Sequence, residues 1–347
     1  MTASGTQDMI VGNGTGGDVW WYEQGGDPDT WTQHTVGTGF DEVEGTGVGD
    51  IDGDGNYEIG ICDQKVGELH LAVPDSDDPT GSWSTVMLDD TAEYTQTVRF
   101  FDIDGDGDPE LVYTVQGSPS SDTGNYGVRF QDFEGGDPLD AANWSQYEIA
   151  QLGGAFWLPY RMADMSGDGN ATDLVVSCRA AHSHYEGGIH VLENPGDPTN
   201  TWTTRSYDTG TQHLICSFAD FTGDGTTTDL VSHESPNSAS GRVWISEYDG
   251  TDYTVSQFQG SSDAYNNAFA HNWSESAVSD LFLFNDTAGD QELWIHDGSD
   301  WVLEDSSSSA KAQDDVYAHD FNGDGTDDLA TVGVNSGDVF WLEVNQS

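Results

Sequence analysis

Five short acidic strings carry the residues whose types and spacing are best suited to chemistry: DIDGDG from Asp50, DIDGDG from Asp102, DMSGDG from Asp164, DFTGDG from Asp220 and DFNGDG from Asp320. Oxygen-bearing side chains recur at fixed offsets within each string. Asp50, Asp52, Asp54 and Glu58 set the pattern, and Asp102, Asp104, Asp106 and Glu110 repeat it. Asp320, Asn322, Asp324 and Asp328 form a third copy. In two loops one residue longer the set becomes Asp164, Ser166, Asp168 and Asp173, then Asp220, Thr222, Asp224 and Asp229. Several carboxylates so close together repel one another unless a cation sits among them. A hard ion such as Ca²⁺ takes about six to eight oxygens, and glycines between the acids let the backbone curl around it. An EF-hand is excluded, because its loop needs a twelfth-position Glu and flanking helices, whereas these loops run straight into β-branched segments. About five structural Ca²⁺ sites are therefore expected, in loops 50–58, 102–110, 164–173, 220–229 and 320–328. A degraded copy, HNWSESAVSDLFLF, aligns with DFTGDGTTTDLVSH, and His271, Trp273 and Glu275 there replace the ligands. No ion is expected at that copy.

A second group of residues is suited to gripping a ligand. Arg99 and Arg161 share one repeat position, three residues before an acidic loop, and Trp157, Tyr160, Arg179, Tyr185 and Tyr265 fall close by in the repeat frame. His182, His184 and His213 belong to a histidine-rich stretch. Aromatic faces stack on sugar rings and guanidinium groups pair with carboxylate or sulfate, so these residues suit a glycan pocket. The alternative is structural: the arginines neutralise neighbouring acids, the aromatics pack between repeats, and the HSH string is at most a weak transition-metal site.

The elements that must position these residues follow from the repeat. Each acidic loop is followed by a short apolar run (EIGIC, ELVYTV, DLVVSC), a Gly-led alternating run (GGIHVLE, GRVWISE, GDVFWLE), a turn such as GGDPLD or PGDPTN, and a Trp-containing segment. That order reads as four antiparallel strands per unit of about 50 residues, the pattern of a propeller blade. The opening segment is a unit without its acidic loop, which makes seven. The expected fold is all-β, a seven-bladed β-propeller of four-stranded antiparallel blades, in one domain over 1–347 with a degenerate blade at about 265–304. The first unit lacks its inner strand and the last lacks its outer one. Strands alternate in direction, so acidic loops and Asp-Pro turns should share one end of each blade.

The D-x-[DSTN]-G-D-G-x-x-[DE]-L repeats resemble the FG-GAP or VCBS family of calcium-binding β-propellers, the family of the integrin α-chain head. The likeness covers nearly the whole chain. It implies the propeller fold and the metal. Propellers of this kind serve as adhesion and ligand-binding heads, and some as polysaccharide lyases, so the resemblance leaves activity open.

Charge narrows the classes of partner. The 347 residues include 8 Lys or Arg against 63 Asp or Glu, for a formal charge of −55. Eight scattered cations form no basic stripe, so nucleic acid is excluded as a partner, and no apolar stretch is long enough for membrane insertion. With 12 Trp, 13 Tyr and 14 Phe the chain is not a disordered acidic tail. Such an excess suits molar salt, where self-repulsion is screened. Five divalent ions would still leave about −45 for the surface. The acids comprise 46 Asp and 17 Glu, an imbalance that is partly a metal signature. Cys62, Cys178 and Cys216 form no disulfide framework, and MTASGTQDMIVGNG has no signal-peptide character.

Two functions remain from these readings. The first is a calcium-stabilised recognition or adhesion module, extracellular, on a cell surface or on a virion, binding a glycan or host surface glycoprotein, with other virion or envelope proteins as further partners. The second is a lyase on a uronic-acid polysaccharide, with His182, His184 or His213 and Tyr160 or Tyr185 moving the proton and Arg161 on the carboxylate.

Overall fold

A computed structural model describes residues 8–25, 30–116, 126–179, 187–214, 216–234, 241–258, 265, 267–274, 276–285, 290–297, 300–307, 313–323, 325–333 and 339–342. The turn chemistry of the repeat explains how each blade is built. In the Asp-Pro turns, Asp78, Asp137 and Asp197 each accept a backbone N–H two residues on, closing an Asx turn. The Trp that follows then donates its indole N–H to the proline carbonyl: Trp83 to Pro79 at 3.0 Å, Trp144 to Pro138 at 3.0 Å and Trp202 to Pro198 at 2.9 Å. This bond ties the last strand of a blade to the turn before it.

Blade 2 consists of Val43–Gly49, Glu58–Asp63, Glu68–Pro74 and Trp83–Asp89, hydrogen-bonded antiparallel in that order. Blade 3 repeats the plan with Thr95–Phe101, Glu110–Val115, Gly127–Phe133 and Trp144–Gln151, and blade 4 begins at Ala155–Trp157 and Leu174–Cys178. Second strands, such as Glu58–Asp63 and Glu110–Val115, are buried at every residue, while the outer strands alternate. Buried clusters lie between consecutive blades, for example Phe101, Val112 and Phe130 of blade 3 with Leu174 and Val176 of blade 4. Blade 4 here covers the apolar face of blade 3.

The described residues form seven antiparallel sheets, five of four strands and two of three. The fold is an all-β, seven-bladed β-propeller. The two three-stranded blades are the first and last, Met9–Gly12 to Trp31–Thr38 and Gln313–His319 to Val339–Leu342. Where the repeat points to one domain, the chain divides into two compact units, 1–206 with blades 1 to 4 and 207–347 with the remaining three.

Close backbone approach sets the inner strands of the first unit. A Cβ at Gly45 would stand 2.2 Å from the Gln96 carbonyl oxygen, and one at Gly47 would stand 2.6 Å from that of Val98. Only glycine permits this contact, and it fixes the segment of blade 3 that carries Arg99. No helix among the described residues is long and apolar enough to cross a membrane.

Candidate functional site

The acidic loops take a common shape. Glycines at their fourth and sixth positions have positive φ in all five, for instance Gly53 at 71° and Gly55 at 92°, a conformation that L-residues with a Cβ resist. The first Asp then accepts backbone N–H groups from both sides of the curl. Asp102 takes Gly105 and Gly107 at 2.7 and 3.1 Å, and Asp164, Asp220 and Asp320 take their paired glycines likewise. Of the sequence-predicted ligands, Asp50, Asp52 and Glu58 come together, as do Asp102, Asp104 and Glu110, and Asp324 lies outside the described residues.

The loops nevertheless differ in what they leave free. In blades 2 and 3, oxygens of Asp50, Asp52 and Glu58, and of Asp102, Asp104 and Glu110, converge within 4.8 Å of one another. Burial, followed by repulsion from neighbouring acids, pushes Glu58 and Glu110 up to about 8. Asp50 Oδ1 is buried without a hydrogen-bond partner. In blades 4 and 5 the shorter Asp replaces Glu, and backbone donors engage both its oxygens. Asp173 accepts from Met165, Ser166 and Asn194, and Asp229 from Phe221, Thr222 and Tyr248. The repeat frame treats Asp173 and Asp229 as equivalents of Glu58, yet they organise their loops through the backbone. An all-oxygen donor set with an orphaned buried carboxylate oxygen fits a hard divalent cation.

The second constellation is centred on Arg99. Its side chain is 5 % exposed, and Nη1 donates to the carbonyls of Val98 at 3.0 Å and Thr46 at 3.4 Å. The guanidinium carbon lies 4.0 Å from the centre of the Tyr160 ring and 5.0 Å from that of Trp157, within cation–π range. The two rings meet edge to face at 6.2 Å. Arg99 Nε and Nη2, Trp157 Nε1 and Ser177 Oγ are all buried without hydrogen-bond partners. Ser177 is the cross-strand partner of Trp157. Tyr160, by contrast, is 46 % exposed. Other cations find carboxylates: Arg129 reaches Asp89 at 2.8 Å, Arg205 reaches Glu193 at 2.8 Å and Arg242 reaches Glu234 at 2.9 Å. Arg99 has no such ion pair among the described residues.

Sequence equivalence carries less far elsewhere. Arg161 is exposed, since the inner strand of blade 4 spans only Ala155–Trp157 where that of blade 3 runs seven residues. Arg179 is half-buried, and burial lowers its basicity. His213, a candidate ligand-gripping residue, is fully buried, its ring nitrogens bound to Ser232 Oγ at 2.8 Å and Asp208 at 3.2 Å. Burial lowers its pKa despite the nearby Asp208. Tyr265 is buried as well and donates to Glu292 at 2.6 Å. His182, His184 and Tyr185 lie outside the described residues.

One cluster has no motif to announce it. Asp63, Glu68 and His70 place ligand atoms within 4.8 Å of one another. Asp63 is occupied by the backbone N–H groups of Asp41 and Glu42, and His70 by Glu68 at 2.9 Å.

The sequence matches no family model and no curated protein. Solved structures share the fold. The chain is similar to a protein from Lactobacillus plantarum (10 % identity, 97 % of this chain and 95 % of that one, TM-score 0.59). It is also similar to putative 6-phosphogluconolactonases from Bacteroides fragilis (11 %, 100 % and 93 %, TM-score 0.61) and Bacteroides uniformis (12 %, 98 % and 92 %, TM-score 0.61). At these identities the likeness speaks for the fold alone.

Proposed function

We propose that this chain is a calcium-stabilised recognition module for high-salt surroundings, extracellular or on a cell or virion surface, that binds a glycan or surface glycoprotein. The observation that carries the reading is the half-exposed Tyr160 ring lying over the buried, incompletely bonded guanidinium of Arg99, with Trp157 beside it. Aromatic faces next to unpaired donors are what a polyhydroxylated ligand requires. Asp50, Asp52 and Glu58, and Asp102, Asp104 and Glu110, would hold Ca²⁺ in blades 2 and 3, with Asp164, Ser166 and Asp168, Asp220, Thr222 and Asp224, and Asp320 and Asn322 serving the other loops. Bound calcium would supply cross-linking of each hairpin, as the resemblance to FG-GAP and VCBS propellers implies. The formal charge of −55 supports a saline setting.

The lyase alternative has less support. Of its proposed bases, His213 is fully buried with both nitrogens engaged, and a general base must reach its substrate. The test is a glycan array probed in molar potassium chloride with calcium. Binding that disappears in Trp157→Ala and Tyr160→Ala is expected. Steady formation of ultraviolet-absorbing unsaturated uronate ends would overturn this reading in favour of the lyase.

A further inference from the structure

The donors that Arg99 leaves unused are not a random pair. A guanidinium has five N–H donors in a rigid plane, and Nε with Nη2 forms one edge of it, with two parallel N–H bonds spaced to meet two oxygens of a single carboxylate or sulfate. In this protein the backbone carbonyls of Val98 and Thr46 occupy Nη1 and hold the plane in place. Both atoms of the bidentate edge, Nε and Nη2, are the ones without a partner. Arg99 is 95 % buried, and burial of an arginine without a carboxylate or hydrogen bonds along one edge is costly. In a chain with 63 acidic residues, an available carboxylate partner is not scarce. Among the described residues none pairs with Arg99.

The rings packed on the guanidinium carry no charge. Trp157 and Tyr160 shield the guanidinium, while Trp157 Nε1 and Ser177 Oγ, on facing strands, add further buried groups without partners. The part of this arrangement nearest solvent is the half-exposed Tyr160 ring, which follows the end of its strand.

We infer that Arg99 is the anion-reading residue of the pocket, taking a carboxylate or sulfate of an acidic sugar on its Nε and Nη2 edge while the sugar ring packs against Tyr160 and Trp157. This rests on the glycan reading above and sharpens it to acidic glycans. Because the two hydrogen bonds form in a buried site, binding persists in molar salt that abolishes exposed ion pairing.

The experiment is calorimetric titration, in calcium and molar potassium chloride, with a galacturonic acid trisaccharide, its uncharged methyl ester and a sulfated galactose oligosaccharide. One acidic probe or both should bind roughly tenfold or more tightly than the ester, the carboxylate and sulfate arms identifying the group read. Arg99→Lys keeps the charge but loses the parallel pair, and should weaken acid binding roughly tenfold. Tyr160→Ala changes a half-exposed side chain and tests the same pocket if Arg99→Lys does not fold, as judged by its melting curve; it too should weaken binding. Ester and acid binding equally would overturn the acidic inference and leave the glycan reading standing. Acid binding unchanged in both variants would overturn the assignment to Arg99, and no binding by any of the three sugars would overturn both readings.

Discussion

The acidic loop of blade 3 and the corresponding loop of blade 6 solve one problem in opposite ways. In blade 3, Asp102, Asp104 and Glu110 bring three carboxylates together, and the backbone N–H groups of the curl meet only part of their need. Among the described residues of the blade 6 loop, one buried carboxylate, Asp280, accepts the Ser274 N–H at 2.7 Å and the Ser274 hydroxyl at 2.9 Å. Trp273 fills the space and donates to the Asp327 carbonyl, and His271 pairs with Asp327 at 2.9 Å. Both loops connect the same pair of strands. On the proposed calcium reading, the difference implies that a loop takes an ion when its acids outnumber the donors it supplies, and that the blade 6 hairpin takes none.

The most forceful way to break this comparison is chelation at constant ionic strength. At free calcium about 100-fold above Kd, each site adds about 2.7 kcal/mol to stability. Losing several such sites should lower Tm by on the order of 10 °C. Hydrogen exchange followed segment by segment should quicken in 102–110 and 50–58 and stay constant in 271–280. An unchanged Tm, or equal quickening in blade 6, would remove calcium from the account.

A smaller effect separates the two ends of blade 5, where Asp229 opens a strand at the acidic loop and His233 closes it at the other end. His233 is 2 % exposed, and burial takes its pKa down to about 4. Its Nε2 has no partner, so nothing stabilises a proton there. A folded-state pKa below the unfolded value of about 6.5 means that the unfolded chain binds the proton first. Compared with His233→Leu, which keeps the raised Glu58 and Glu110 but has no buried imidazole to charge, the protein should therefore lose up to roughly 3 kcal/mol as pH drops from about 6.5 towards 4. Denaturant melts of both proteins in chelator across this range should show that difference growing as pH falls. A difference independent of pH would assign the acid sensitivity elsewhere.

Legibility in the sequence followed the range of the interactions involved. The loops and blades were readable because positive-φ glycines, Asx turns and strand alternation act over a few residues. Arg99, Trp157 and Tyr160 were readable as neighbours because the repeat frame places them on adjoining inner strands. Their guanidinium edge was not, since its freedom depends on Thr46, more than 50 positions away. The frame also misplaced residues where side-chain length or backbone course changes. Asp173 is one methylene shorter than Glu58 and is engaged by three N–H groups. His213 turns inward to Ser232, although the repeat frame groups it with ligand-gripping residues.

The finest test exchanges a single group in each loop. Ser274→Ala in blade 6 removes the hydroxyl bond to buried Asp280 but keeps the backbone N–H bond, so it should cost about 1 kcal/mol. Because the loop balances its own charge, the cost should be the same with calcium and with chelator. Asp52→Asn in blade 2 should behave differently. With calcium it removes an anionic ligand and should cost on the order of 1 kcal/mol or more. In chelator it removes a carboxylate crowded by Asp54 and Asp50, so the penalty should vanish or change sign. Paired urea melts of both variants, with and without calcium, measure these four values. A calcium-dependent cost for Ser274→Ala would show that blade 6 also relies on an ion. A calcium-independent cost for Asp52→Asn would show that the blade 2 acids serve only their own backbone, and the contrast between the loops would then be one of sequence rather than of charge balance.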